Sequence, residues 1–206
     1  MKPFFVLIAA LVLSSCAGVT RSTSPDAIYD FGLPPERLVS GGAWSKLALE
    51  VSSPPWFNSL NVDYRLAYDN PLKRREYASS RWAGAPAALL AQRLRQKLGM
   101  MSATGAAYDC LIRVELQEFS QVFDTPQLSR GVLRGRITLI GAGRHVVSEK
   151  PVLIVKPAST ADAGGGVSAL VAASEELGQQ LEAWLSSLDK TDVLKICHLK
   201  LESAAK

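Results

Sequence analysis

The chain has little of what an enzyme or metal protein needs. Two histidines and three cysteines are spread over 206 residues, and no CxxC, HExxH or GxSxG occurs. Spacing of that kind leaves no recognisable zinc site and no nucleophile elbow. The glycine-containing "GAGRH" lacks the lysine and hydroxyl of a phosphate loop. Charge of one sign is also missing: 23 Lys+Arg stand against 19 Asp+Glu, with no basic run of the sort that nucleic-acid binding uses. Long apolar runs are confined to Phe4–Leu13, short of the roughly 20 residues that a membrane-spanning helix needs.

That one apolar run has a specific setting. Lys2 supplies a positive start, and the small residues Ser14 and Ser15 stand immediately before Cys16, the layout of a secretory signal. Leu13-Ser14-Ser15-Cys16 resembles the bacterial lipobox, in which a diacylglycerol is attached to the cysteine thiol and cleavage falls in front of it. Residues 1–15 therefore read as a lipoprotein signal peptide, and Cys16 as the lipidated residue. Two or three acyl chains, at about 0.8 kcal/mol per buried CH2, hold a domain durably at a membrane. Ala17 rather than Asp follows the cysteine, which by resemblance to Gram-negative lipoprotein sorting places the chain at the outer membrane, facing the periplasm.

About 190 residues remain after cleavage, enough for one domain with a full core. Residues 16–40 are rich in Ser, Thr, Pro and Gly, with "YDFGLPPE" as their aromatic content, and read as the lipidated cysteine and a flexible tether. Residues 41–206 read as a single α+β periplasmic domain. Cys110 and Cys197 are an even pair in an oxidising compartment, either a disulfide or two buried free thiols. The inward position of Cys110 on its strand favours the thiols.

Two similar halves are expected. In the first, Leu47, Leu49 and Val51 alternate with polar residues until "SSPPW" stops the strand; Tyr64, Leu66 and Tyr68 mark a second strand, and Glu76–Ser80 a third. The helix "PAALLAQRLRQKL" follows, opened by Pro86 and closed by Gly99, with Arg93, Arg95 and Lys97 on what reads as a solvated face. In the second half Cys110–Leu116, Leu133–Leu139 and "VVSEKPVLIV" form a meander around the "IGAGRH" turn. A long helix then carries Val167, Leu170, Leu177, Leu181 and Leu185 at spacings of three and four. The expected fold is α+β: a mainly antiparallel sheet built from two strand-strand-strand-helix halves, two helices on one face, and a short edge strand in the tail after Asp189.

Candidate chemistry is sparse. His145 sits at a hairpin and His198 near the C-terminus, neither with a partner at ligand spacing, and "DAGGG" reads as a turn into the long helix. Glu115 and Glu118 would point to opposite faces of a regular strand, so they cannot flank one glycosidic bond without a bulge between them. No residue is assigned a catalytic, cofactor-binding or metal role. Trp56, Phe57 and Trp82 are candidates for partner or lipid contact, because aromatics are enriched at interface cores.

The order of signals carries a resemblance: a lipobox, the "YDFGLPP" lead, "SSPPWFNSLNVDYRLAYDN", "REYASSRWAGAPAALLAQRL", the "LIRVELQEF" strand, and "DAGGGVSALVAASEELGQQLEAWL". It resembles the ABC-type transport auxiliary lipoproteins, which accompany periplasmic MCE-domain lipid transporters and paraquat-inducible membrane systems. The match covers nearly the whole mature chain; the extra cysteines and the Trp56-Phe57 pair depart from the pattern. The resemblance implies a non-enzymatic subunit of an intermembrane lipid transport system, with an MCE-domain protein, an ABC permease and an ATPase as partners and a lipid as cargo, phospholipid being one candidate. A homo-oligomeric ring would suit such a subunit. The alternative is a structural or assembly lipoprotein of another outer-membrane machine, serving secretion or lipopolysaccharide export, and gene neighbourhood separates the two.

Overall fold

The computed structural model describes residues 26–33, 44–104 and 108–198. Cys16 and the signal segment lie outside the described residues. Among the described residues, eight strands form one mixed sheet: β1 (Ala27–Tyr29), β2 (Leu47–Ser52), β3 (Asn61–Leu66), β4 (Asn70–Trp82), β5 (Met101–Ser102), β6 (Cys110–Phe123), β7 (Ser129–Ile140) and β8 (Val146–Pro157). The helices are α1 (Pro86–Leu98), α2 (Ala163–Lys190) and α3 (Lys195–His198).

β6 is the spine. Its alternation of apolar and polar residues buries Cys110, Ile112, Val114 and Leu116 in the core. β7 and then β8 add to one side as the expected antiparallel meander. The other side is shared: β2 pairs with residues 110–115 of β6 and β3 with residues 121–123, both in parallel. The two-halves description therefore gives way. β2 and β3 are not neighbours in a meander but follow each other along the same flank of β6, and the first half joins the sheet through parallel pairs. β4 pairs antiparallel with β3, and β1 and β5 complete the sheet by parallel pairing to β4 and β2.

α1 and α2 cover one sheet face and touch each other, where Lys97 donates from Nζ to the Glu175 carbonyl (3.0 Å) and carboxylate (3.1 Å). Val167, Leu170, Leu177, Leu181 and Leu185 of α2 are buried against β6, β7 and β8. Each such side chain contributes about 1.5–3 kcal/mol by removal from water. Asp162 caps α2, its Oδ1 accepting from the Gly165 amide at 2.8 Å. Gly99 ends α1 in the left-handed region, φ 68°.

Four expectations are corrected here. The tail forms the short helix α3 rather than an edge strand, and it tucks Leu194 and Cys197 into the core. Cys197 is bonded to Cys110, so an inward-facing strand cysteine and a disulfide coexist. The segment read as tether is folded from Asp26 to Leu33: β1 pairs with the end of β4, and Phe31 is buried with its ring 5.7 Å from that of Trp82 and 6.1 Å from that of Phe119. Arg93, expected on a solvated face, is buried and donates to the carbonyls of Phe31, Gly32 and Leu33, strapping that segment to α1.

Candidate functional site

The sheet face away from the helices is the surface on which the chain departs most from regular structure. At Ser52 the chain leaves β6 and detours before it rejoins that strand at Tyr64. Pro54 and Pro55 explain the departure, since neither can donate to a ladder. They set up a single 3-10 turn, Pro55–Phe57, which sends two neighbouring aromatics in opposite directions. Phe57 turns inward, 3% exposed, with the Arg74 guanidinium 4.2 Å from its ring centroid. Trp56 turns outward and is 81% exposed.

Opposite the detour, β6 carries a bulge between Leu116 and Glu118, with Gln117 the extra residue. The partner residue across the ladder is Gly135, where a Cβ would lie 2.3 Å from the Glu115 carbonyl oxygen. The bulge shifts the side-chain alternation by one. Leu116 and Phe119 both face the core, so Glu115 and Glu118 share the open face, correcting the opposite-face reading from strict alternation. Glu118 is engaged: its Oε2 accepts from Arg65 Nη2 at 2.9 Å and Nε at 3.2 Å.

Charge pairs cross the open face in rows. Arg113 pairs with Glu50 between β6 and β2, Arg65 with Glu118 between β3 and β6, and Arg136 with Glu149 between β7 and β8. Asp63 pairs with Arg74, yet burial outweighs the attraction and raises its carboxyl above the usual range. Exposed Leu153 and Val155 add apolar area on β8. A cleft of about 270 Å³ runs from Ser52–Pro54 to Gln117, and another of about 470 Å³ runs from Gln117 to Arg134 and Leu153. A third, about 510 Å³, lies between the Glu50–Arg113 pair and the Gly141–Arg144 turn. Such a surface, ionic and apolar by turns with one projecting tryptophan, is suited to docking.

The sequence candidates separate. Trp56 lies on the open surface. Phe57 is buried, and Trp82, 2% exposed, is a core residue packed on Phe31 and Phe119, so neither is available to a partner. His145 is exposed on its hairpin, and the His198 side chain lies outside the described residues. Among the described residues, no three His, Cys, Asp or Glu side chains gather as a metal site. None of the described helices is long and apolar enough to cross a membrane. Sequence reasoning missed Phe31, Arg93 and the Gln117 bulge. "YDFG", the aromatic island in the presumed tether, was the signal for the first.

No family model matches the chain, and no curated protein does. Solved structures do. The fold is similar to that of a Xanthomonas campestris protein of the DUF330 family, with a TM-score of 0.64 and 18% identity over 81% of this chain and 98% of that one. It is also similar to a protein described only as uncharacterized, with a TM-score of 0.62 and 14% identity over 79% of this chain and 99% of that one. At these identities the likeness establishes a common fold.

Proposed function

We propose that this chain is a lipid-anchored, non-enzymatic docking subunit of an ABC/MCE-type intermembrane lipid transport system, held at the outer membrane by Cys16 and facing the periplasm. The observation that carries the reading is Trp56, held outward by two prolines beside an uncovered sheet face. Tryptophan on a preorganised turn is the residue type that anchors protein interfaces. Support also comes from the lipobox-like start, and from a buried disulfide, which is at home in an oxidising compartment. The partners are an MCE-domain periplasmic protein, the ABC permease and its ATPase, with phospholipid as cargo; ATP hydrolysis belongs to the ATPase.

Co-purification of the full-length, membrane-extracted protein, with mass spectrometry of the accompanying proteins and lipids, tests this. MCE and ABC subunits with phospholipid are expected. Recovery of a secretion or lipopolysaccharide-export complex instead would overturn the reading. Trp56→Ser is expected to lower recovery of the MCE partner about tenfold while leaving the thermal midpoint within 2 °C, since the removed side chain is in water.

A further inference from the structure

β3 and β6 run in parallel and end together: Leu66 lies opposite Phe123, and the Ala67 amide donates to the Phe123 carbonyl at 2.8 Å. The turns that follow these strands therefore sit side by side at one end of the sheet. Tyr68, Leu72 and Leu128 are placed there, 48%, 89% and 58% exposed. Turn formation does not require them, because Asn70 Oδ1 accepts from the Leu72 amide and Thr125 Oγ1 from that of Leu128. Behind this apolar crest stand Lys73, Arg75 and Arg130, the last two paired with Asp69 and Asp124.

The chain that leads into the fold is long enough to reach the same end. β1 lies parallel to β4 with Ala27 opposite Ser80, so the chain reaches Ala27 travelling in the direction that β4 takes from Asn70. About ten residues separate Asn70 from Ser80, and about as many separate Cys16 from Ala27, roughly 35 Å in each case when extended. The segment between Cys16 and Ala27 is thus long enough to span β4 back to Asn70, so an anchor at Cys16 leaves the crest within reach of the bilayer.

Resting on the reading that Cys16 carries acyl chains, we propose that Tyr68, Leu72 and Leu128 dock on the phospholipid surface of the bilayer that holds the anchor. The two leucines enter the interface, the tyrosine ring sits at headgroup level, and Lys73 faces lipid phosphates. The contact is small and weak by itself. The anchor makes it effective by keeping the local lipid concentration high.

The test uses the full-length lipidated protein in vesicles of phosphatidylethanolamine and phosphatidylglycerol. Leu72→Cys, Leu128→Cys and, as the distant control, Val146→Cys are each labelled with an environment-sensitive nitrobenzoxadiazole group. Cys110 and Cys197 are bonded and buried, and an acylated Cys16 offers no thiol, so label reaches the introduced cysteine alone. At least fivefold stronger quenching by a lipid-borne nitroxide is expected at positions 72 and 128 than at 146. Mass spectrometry of the N-terminal peptide separates the two ways of failing. Acylated Cys16 with labels at 72 and 128 as open to water as that at 146 overturns the docking proposal alone. Unmodified Cys16 overturns the anchor and, with it, the docking.

Discussion

Gly135 has no room for a methyl group, because the carbonyl it would strike belongs to the backbone of the neighbouring strand and cannot rotate away. Gly135→Ala is expected to cost about 2–4 kcal/mol, read from urea denaturation, by forcing β6 and β7 apart at the bulge. Asp162 is a milder case with a pH signature. Its carboxylate accepts from the Gly165 amide and the Thr160 hydroxyl, and these bonds hold its pKa below the ordinary 3.8. The lowered value means that the carboxylate stabilises the fold in full well above pH 3.8, and that this contribution fades as acid carries the pH through the lower folded value. Asp162→Ala should therefore cost about 1 kcal/mol at neutral pH. The difference between the two proteins should shrink below pH 3.8, as denaturation curves taken across that range would reveal. Asp63 works in the opposite sense. Burial raises its pKa, so the folded protein takes up that proton more readily than the unfolded chain and gains from this group as the pH falls.

Among the elements, the strap made by β1 and Phe31 has the largest effect for its length. Arg93 holds it with a fork of donors on three carbonyls, a geometry that lysine cannot reproduce. Arg93→Lys is expected to cost about 2–4 kcal/mol and to increase proteolysis between Asp26 and Leu33, whereas Arg95→Lys, on the same helix, stays within about 0.5 kcal/mol. This strap was also the element hardest to read beforehand. α1, α2, β6, β7 and β8 were legible, because each is long enough to write its burial as a period. β1 has three residues and α3 four, too few for a period to form, and the alternation in "VLKIC" read as strand. The pairing of β2 and β3 to one flank of β6 is parallel and distant in sequence, and hydrophobic alternation does not name a partner. At the candidate site the aromatic residues were legible in the sequence and their directions were not. Apolar character marked Trp56, Phe57 and Trp82 alike; the 3-10 turn decides between Trp56 and Phe57, and the alternation of β4 turns Trp82 into the core.

For the whole molecule, the Cys110–Cys197 bond closes a loop across 87 residues and ties α3 beneath the start of the spine strand. On the chain-entropy account, its removal in Cys110→Ala/Cys197→Ala costs about 4–5 kcal/mol. Reductant added under partly denaturing conditions should lower the urea midpoint of the unsubstituted protein to that of the double variant. The strap matters at this scale for a different reason. On the proposed reading, a domain anchored through Cys16 and coupled to machinery on its far side would be pulled, and the pull would enter the described fold through Asp26. Because β1 points along β4, tension from the crest end of the molecule runs parallel to the ladder and loads its hydrogen bonds together in shear, where a perpendicular tug would unzip them one by one. The buried guanidinium of Arg93 then acts as the rivet behind a lap joint, and the attachment point becomes a mechanical fuse whose rating is set by three residues of strand and one arginine.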